Sequence, residues 1–396
     1  MPNLANNKIC TGCSACSNIC PKKAIKMIAD NEGFLQPVVD GNVCIDCKLC
    51  EQVCPQINLG SRWGDANPRT YAAWHKLDRC CSSSGGMFSA FARQILKNGG
   101  SVFGACLDEQ LNCRHIEISS IEDLPLLRGS KYVQSEIGEC FKTIKQRLCE
   151  GKEVLFCGTP CQVSGLNRFL RKQYDNLLTI DLACHGVPSN QVFKKYICKL
   201  QKLKKFVIKG FEFRHRDGWG IAPSILQENK QLKPIYGVDA LYMSAFEKSA
   251  IFRKSCYTCQ YTKIPRVGDI TLADFWGIGR HGIPFKQNVM KGVSLVLANT
   301  AKGLDSIKCL DKETFIEERT LQEALIENHN LKSSSPFNSK RGEIIQSFLD
   351  ESMSLNDINR KYALVDYSIK GIVKEWALKL GLFNVVKRIY NKVKSL

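Results

Sequence analysis

Cys10-Thr11-Gly12-Cys13-Ser14-Ala15-Cys16-Ser17-Asn18-Ile19-Cys20-Pro21 is answered further along the chain by Cys44-Ile45-Asp46-Cys47-Lys48-Leu49-Cys50-Glu51-Gln52-Val53-Cys54-Pro55. Both stretches read C-x-x-C-x-x-C-x-x-x-C-P. The chain has 21 cysteines in 396 residues, so four specified positions are all cysteine by chance roughly once in 130,000 starting points. Two copies inside one short segment are therefore not accidental.

The chemistry accounts for the spacing. Two-residue gaps let three thiolates on one tight loop take three corners of an iron–sulfur cubane, and the fourth ligand comes from elsewhere. In two-cluster ferredoxins the fourth cysteine of each run serves the other cluster. Cys10, Cys13, Cys16 and Cys54 are thus expected to hold one 4Fe-4S cluster, and Cys44, Cys47, Cys50 and Cys20 the second. A zinc site or a disulfide framework is the alternative. Zinc sites usually pair two C-x-x-C units, and a third cysteine at the same interval has no use in them.

Outside the two runs, composition places broad limits. The hydrophobic fraction of 44% and the charged fraction of 24% are ordinary for a soluble protein. No basic, apolar leader precedes Cys10, and no stretch approaches the run of about 20 apolar residues that spans a bilayer. A cytoplasmic location is expected. In a reducing compartment the remaining cysteines are thiols or metal ligands, and oxygen-labile clusters fit an anaerobic host. The formal charge is +18, yet up to residue 60 Lys plus Arg balances Asp plus Glu at five each. The basic excess lies in the remainder, where it suits an acidic electron carrier, a phosphorylated cofactor or anionic lipid. No nucleic-acid recognition motif accompanies it.

The pattern along the chain predicts a cluster module over 1–60, a linker over 61–69 and a larger domain over 70–330. A helical extension follows over 331–396, after the polar stretch Ser333-Ser334-Ser335-Pro336. Within the module, Asp30-Asn31-Glu32-Gly33 signals a hairpin inside Ala24 to Val39. In the larger domain a strand at Tyr71 to Trp74 precedes Ser82-Ser83-Ser84-Gly85-Gly86 and a helix from Met87 to Lys97. Free N–H groups at such a helix start suit phosphate or a flavin edge, although Ser and Gly are also common caps. Further strands are expected at Ser101 to Leu107, at Val154 to Phe156 running into Cys157-Gly158-Thr159-Pro160-Cys161-Gln162, and at Leu177 to Leu182 running into Ala183-Cys184-His185-Gly186-Val187-Pro188. Strands alternating with helices imply βαβ units, whose sites gather at the strand carboxyl ends.

Cys256-Tyr257-Thr258-Cys259 with Cys161 and Cys184 makes four ligands, the number a third cluster needs. A redox-active C-x-x-C or inert buried thiols are the alternatives. Gly277-Ile278-Gly279-Arg280-His281-Gly282 matches the dinucleotide glycine pattern, but Pro284 interrupts the helix that should follow, and no acidic residue stands at the required distance. From Val373 to Leu396 a basic amphipathic helix is expected. It suits a membrane surface or a partner, or simply packs on its own domain.

The order of these motifs resembles the coenzyme F420 hydrogenase/dehydrogenase beta-subunit family in its bacterial form, with an N-terminal two-cluster ferredoxin domain. The matching features are the doubled cysteine run, Ser84-Gly85-Gly86, Gly129-Ser130-Lys131-Tyr132, Gly158-Thr159-Pro160-Cys161-Gln162, Cys184-His185-Gly186-Val187-Pro188, Cys256-x-x-Cys259, Asp274-Phe275-Trp276-Gly277 and Lys291-Gly292-Val293-Ser294. They run from about Lys8 to Asn330. The resemblance implies FAD beside a further 4Fe-4S cluster on Cys161, Cys184, Cys256 and Cys259. It sets Ser84, Gly85, Gly86, Ser130, Lys131 and Thr159 near the flavin. Cys157 forms a C-x-x-x-C with Cys161, which leaves two claimants for one ligand.

The resulting expectation is an α+β or α/β chain: a small ferredoxin-type module, a larger mixed α/β flavin-binding domain and a C-terminal helical segment. Its function would be that of an iron–sulfur flavoprotein oxidoreductase relaying electrons between the clusters, FAD and an organic two-electron partner. Lys131 is a candidate to stabilise reduced flavin and His185 to deliver a proton, or else a structural histidine. Ferredoxin, the deazaflavin coenzyme or a partner redox enzyme would exchange electrons with it. Two other functions compete: an electron-transfer subunit with no substrate of its own, and a scaffold whose clusters are structural.

Overall fold

The computed structural model describes residues 1–58, 64–214, 222–228, 231–281 and 283–365, together with 367 and 376. The basic helix expected over 373–396 falls outside the described residues except for Trp376.

Each cysteine loop leads into a short helix, α1 (Ala15–Ile19) or α2 (Leu49–Gln52). Between them β1 (Ile25–Ala29) and β2 (Leu35–Val39) pair antiparallel, Ile25 opposite Val39 and Ala29 opposite Leu35. The Asp30 carboxylate closes their turn by accepting from the Glu32 and Phe34 N–H groups. The repeated cysteine spelling produces a repeated backbone. Gly12 and Ser14 have φ of 66° and 62°, and Asp46 and Lys48 have φ of 53° and 59°. Left-handed residues alternating through a loop turn its N–H groups and side chains toward one centre. Three of these four are not glycine, a conformation that costs roughly 1–2 kcal/mol per residue.

The larger domain is built on β3 (Arg69–His75), α3 (Met87–Lys97), β4 (Ser101–Leu107), β5 (Cys113–Ile118), α4 (Leu124–Leu127), α5 (Cys140–Cys149), β6 (Val154–Gly158), α6 (Pro160–Leu170), β7 (Leu177–Leu182) and α7 (Asn190–Lys204). Then follow β8 (Gly210–Glu212), β9 (Ser224–Leu226), β10 (Leu232–Pro234), α8 (Leu241–Glu247), β11 (Ile270–Asp274), β12 (Ser294–Ala298), α9 (Ala301–Lys308), β13 (Thr314–Arg319), α10 (Leu321–Glu327), α11 (Arg341–Leu349) and α12 (Leu355–Tyr362). Among the described residues the main sheet has the order β13-β3-β12-β11-β7-β6-β4-β5. Its centre, β4, β6, β7 and β11, is parallel, and both flanks are antiparallel.

The central strands are mostly apolar because both faces are covered, with Thr179, Asp181 and Thr271 among the buried polar exceptions. Along β6, Leu155 enters the core shared with α3, whereas Val154 and Phe156 enter the core shared with α5 and α6. Cys13, Ala15 and Val53 of the cluster module belong to that second core, so the module is packed on the sheet through α6. Asn18 donates to the Gly138 carbonyl at 2.8 Å and Arg168 to the Gln52 carbonyl at 3.0 Å. A further core joins α7, α8, the small β10-β9-β8 sheet, α11 and α12 to Phe34 of the hairpin. There Arg341 grips Glu32 with two bonds of 2.8 and 2.7 Å. Ser334 and Ser335 donate to the carbonyls of Tyr257 and His185, so the polar stretch before α11 ties the C-terminal helices to the loops carrying Cys256 and Cys184.

Candidate functional site: cysteine clusters around a cleft

The fold gathers the cysteines into three sets. Cys13 is buried, and burial pushes its thiol up to about 12, with Cys10, Cys54 and Cys161 adding to the shift. Burial likewise drives Cys16 well up, assisted by Cys13, Cys10 and Cys54. The cysteine from the second run thus crosses to the first loop. In the reverse direction Cys20, Cys44, Cys47 and Cys50 line a single cavity together with Pro21 and Lys48. In the third set burial drives Cys184 well up, reinforced by Cys256, Cys161 and Cys259.

Buried thiols that repel one another as thiolates are a poor arrangement for free cysteines and a good one around a cationic iron–sulfur core. Hydrogen bonds to sulfur point the same way. The Gly12 N–H donates to Cys10 Sγ at 3.4 Å and the Ala24 N–H to Cys20 Sγ at 3.3 Å, while Thr159 Oγ1 lies 3.1 Å from Cys161 Sγ. Among the described residues no three Cys, His, Asp or Glu side chains close around one point as the ligands of a single metal ion do. A cubane needs its ligands set wider, at the corners of a larger body. The two cysteine runs therefore fit the clusters their spacing predicts.

Cys157 and Cys161 part company. Cys161 lies at the first turn of α6 with Cys13 and Cys259 for neighbours. The Cys157 thiol, at the end of β6, is pushed up to about 12 by burial and looks toward Asp181 and Lys131.

Beside the third set a cleft of about 320 Å³ opens at the carboxyl ends of β6, β7 and β11. Ser84, Gly86, Ser130, Lys131, Thr159, Cys184 and His185 all line it. Gly85 is placed differently: a Cβ there would stand 2.3 Å from the Ala73 carbonyl oxygen and 2.8 Å from the Ser294 N–H nitrogen. It lets the serine loop lie on the sheet, and Gly86, with φ of 81°, then starts α3 with no side-chain cap. The cleft thus has a helix amino end with free N–H groups on one wall.

Lys131 donates through Nζ to the Arg128 carbonyl at 2.6 Å and the Leu126 carbonyl at 3.4 Å. Burial pushes its pKa down to about 8. The His185 ring, exposed at the cleft, is also pushed below its ordinary value, first by desolvation from the protein packed around it. Its centroid stands 6.3 Å from that of Phe246. The glycine series at 277–279 is no dinucleotide turn. Gly277 and Gly279 have φ of 79° and 75°, and no helix lies between β11 and β12 among the described residues.

Several groups escaped the sequence reading. Asp78 binds both Arg93 and Arg128, the latter on the cleft wall. Burial pushes the Asp78 carboxyl up, but His75, Arg93 and Arg128 outweigh it and hold it well below the usual carboxylate range. The buried Asp181 accepts from Arg266 at 2.7 Å, from Thr271 Oγ1 at 2.8 Å and from the Gly268 N–H at 2.9 Å. An acid inside the apolar strand Leu177–Leu182 was the available signal for that network. Arg253, directly after the apolar run Ala250-Ile251-Phe252, also escaped that reading; it is buried and donates through Nε to the Cys10 carbonyl at 2.7 Å.

The model for the C terminus of the coenzyme F420 hydrogenase/dehydrogenase beta subunit matches residues 151–324, and that of the 4Fe-4S dicluster domain matches residues 9–57. Among solved structures, a chain of the xenon-derivatised F420-reducing NiFe hydrogenase complex from Methanosarcina barkeri is similar. It is 13% identical, with 77% of this chain and 94% of that chain covered and a TM-score of 0.43. No curated protein matches the chain. Among the described residues no helix is long and apolar enough to cross a membrane. Over residues 151–324 the chain is thus similar to the C terminus of the coenzyme F420 hydrogenase/dehydrogenase beta subunit, behind a segment that matches the 4Fe-4S dicluster domain.

Proposed function

We propose that this iron–sulfur electron-transfer protein is a flavoprotein oxidoreductase with a third 4Fe-4S cluster on Cys161, Cys184, Cys256 and Cys259. The observation that carries the reading is continuity. Cys184 lines the cleft, and Thr159, which touches Cys161 Sγ, lines it too. A cofactor in the cleft would lie against the third set of sulfurs, and that set adjoins the Cys10 loop through Cys13 and Cys161.

FAD bound there would exchange single electrons with the clusters and a pair of electrons with an organic partner. The chain's own groups do the rest. Ser84, Gly86 and the amino end of α3 offer donors to an anionic portion of the cofactor. Ser130, whose N–H is held by Ser83 Oγ at 2.9 Å, fixes the facing wall. Lys131 presents a cation anchored on two carbonyls, suited to stabilising negative charge on a reduced ring. His185 is the candidate proton donor at the sulfur-bearing wall. The electron carrier, ferredoxin or the deazaflavin coenzyme, would meet the chain where a cluster or the cleft is exposed.

The test uses the full chain prepared without oxygen and supplied with FAD. Binding should quench flavin fluorescence, and a low-potential donor should then reduce the flavin through the clusters. Lys131→Ala should slow that reduction about tenfold or more, and His185→Ala should slow turnover of an organic acceptor while leaving flavin reduction unchanged. A chain that binds no flavin but still passes electrons to a partner enzyme would instead be an electron-transfer subunit. Clusters that no donor reduces would mark a scaffold.

A further inference from the structure

We infer that Arg253 is the counter-charge shared by the cluster of the first cysteine loop and the third cluster, a positioning residue that raises the reduction potential of both. The inference rests on the reading that Cys161, Cys184, Cys256 and Cys259 hold a cluster.

Arg253 is 1% exposed, one of the largest fully buried side chains. Four donor contacts are all to neutral oxygens: Nε to the Cys10 carbonyl at 2.7 Å, Nη1 to Gln134 Oε1 at 3.2 Å, and Nη2 to the Leu35 carbonyl and Gln36 Oε1, both at 2.9 Å. Among the described residues it has no carboxylate partner. A contrast lies beside the same ring. Arg253 and Arg341 stand 5.6 and 5.7 Å from the Phe34 centroid, and Arg341 is paired with Glu32. Arg214, Arg266 and Arg319, also buried, are paired with Asp274, Asp181 and Glu323. Arg79 also makes no ion pair among the described residues, but it is 9% exposed and stacks on Trp74 at 4.1 Å.

A buried guanidinium without an opposite charge is costly. The opposite charge is at hand on both sides of Arg253. Its fork presses on the Cys10 loop so closely that a Cβ on Gly12 would stand 2.9 Å from Nη1. Its own N–H donates to the Val187 carbonyl in the Cys184 loop, and its charge reaches Cys161 and Cys256. A 4Fe-4S cluster with four thiolates carries a net charge of about −2, and one more on reduction. A fixed cation beside it favours the reduced state. Cys20, Cys44, Cys47 and Cys50 surround a separate cavity that Arg253 does not line, which makes the second cluster an internal control.

The experiment compares the full chain with Arg253→Met and Arg253→Lys. Iron and sulfide are counted first, and the midpoint potentials are then measured by a redox titration followed by electron paramagnetic resonance. With cluster content kept, Arg253→Met should shift the reduction equilibrium of two clusters against reduction by at least about tenfold, ~59 mV for one electron. The cluster on Cys20, Cys44, Cys47 and Cys50 should not move, and Arg253→Lys should recover part of the shift. Unchanged potentials, an equal shift in all three clusters, or loss of clusters in both variants would overturn the inference. A parent chain with about eight irons would instead defeat the third-cluster reading on which it rests.

Discussion

The two cysteine loops share a spelling and a backbone, yet they occupy opposite environments. In the first, Cys10 and Cys13 are buried, α1 rests on α6, and Arg253 and Gln134 bond to the loop. In the second, Cys47 is exposed and Ile45 is 58% exposed, and the loop faces the chain's own amino terminus. Local geometry follows from the repeat. Surroundings follow from what packs against it, and under the proposed function the first loop would pass electrons inward and the second would meet a carrier from outside.

Removing one ligand from each loop should break the symmetry most strongly. Cys47→Ala is expected to lose about four irons and leave the rest of the fold intact. Cys13→Ala should also lose about four irons, but at a further cost on the order of 4 kcal/mol in thermal or denaturant unfolding, because the bound cluster holds the module to the sheet. Equal losses of stability would mean that the inner position confers nothing.

Gly165 sharpens the contrast. It lies within α6, where Ala normally gains close to 1 kcal/mol. Here a Cβ would meet Cys13 Cβ at 2.9 Å and Sγ at 3.0 Å, so Gly165→Ala should reverse that sign and cost about 2 kcal/mol. Circular dichroism melts of the reconstituted chain decide the sign.

Equivalent turns should respond unequally as well. At Gly12 a Cβ would come within 2.8 Å of Gln134 Nε2 and 2.9 Å of Arg253 Nη1, on top of a φ of 66°. Gly12→Ala should therefore cost about 2 kcal/mol. Asp46, at the matching place in the exposed loop, has φ of 53°, and Asp46→Gly should change stability by less than about 1 kcal/mol because relieved strain offsets added chain entropy. The smallest expected effect is kinetic. A chelator should remove the four irons of the exposed set about tenfold faster than the remainder, and a single iron-release phase would erase the distinction.

Much of this arrangement was legible in the residues, for local reasons. The hairpin around Asp30, the helix Met87–Lys97 and the strands Ser101–Leu107 and Leu177–Leu182 are written in nearest-neighbour patterns. Pro284 told against a dinucleotide helix, and none is present there among the described residues. The cysteine spacing raised the expectation that Cys20 and Cys54 each serve the other loop, and the fold sets Cys20 beside Cys44, Cys47 and Cys50 and Cys54 near Cys13 and Cys16. What stayed hidden depends on distant packing. No pattern near Gly85 says that Ala73 and Ser294 will press on it. Asp78 and Arg128 meet across 50 positions of chain, and Arg253 finds Cys10 and Gln36 across more than 200.

The most direct test counts iron, sulfide and flavin in the full chain, purified or reconstituted without oxygen, before and after reduction by a low-potential donor. About twelve irons with one flavin, all reducible, is the predicted result. About eight irons and no flavin would contradict it, leaving the clusters of the amino-terminal module beside a cleft with some other occupant.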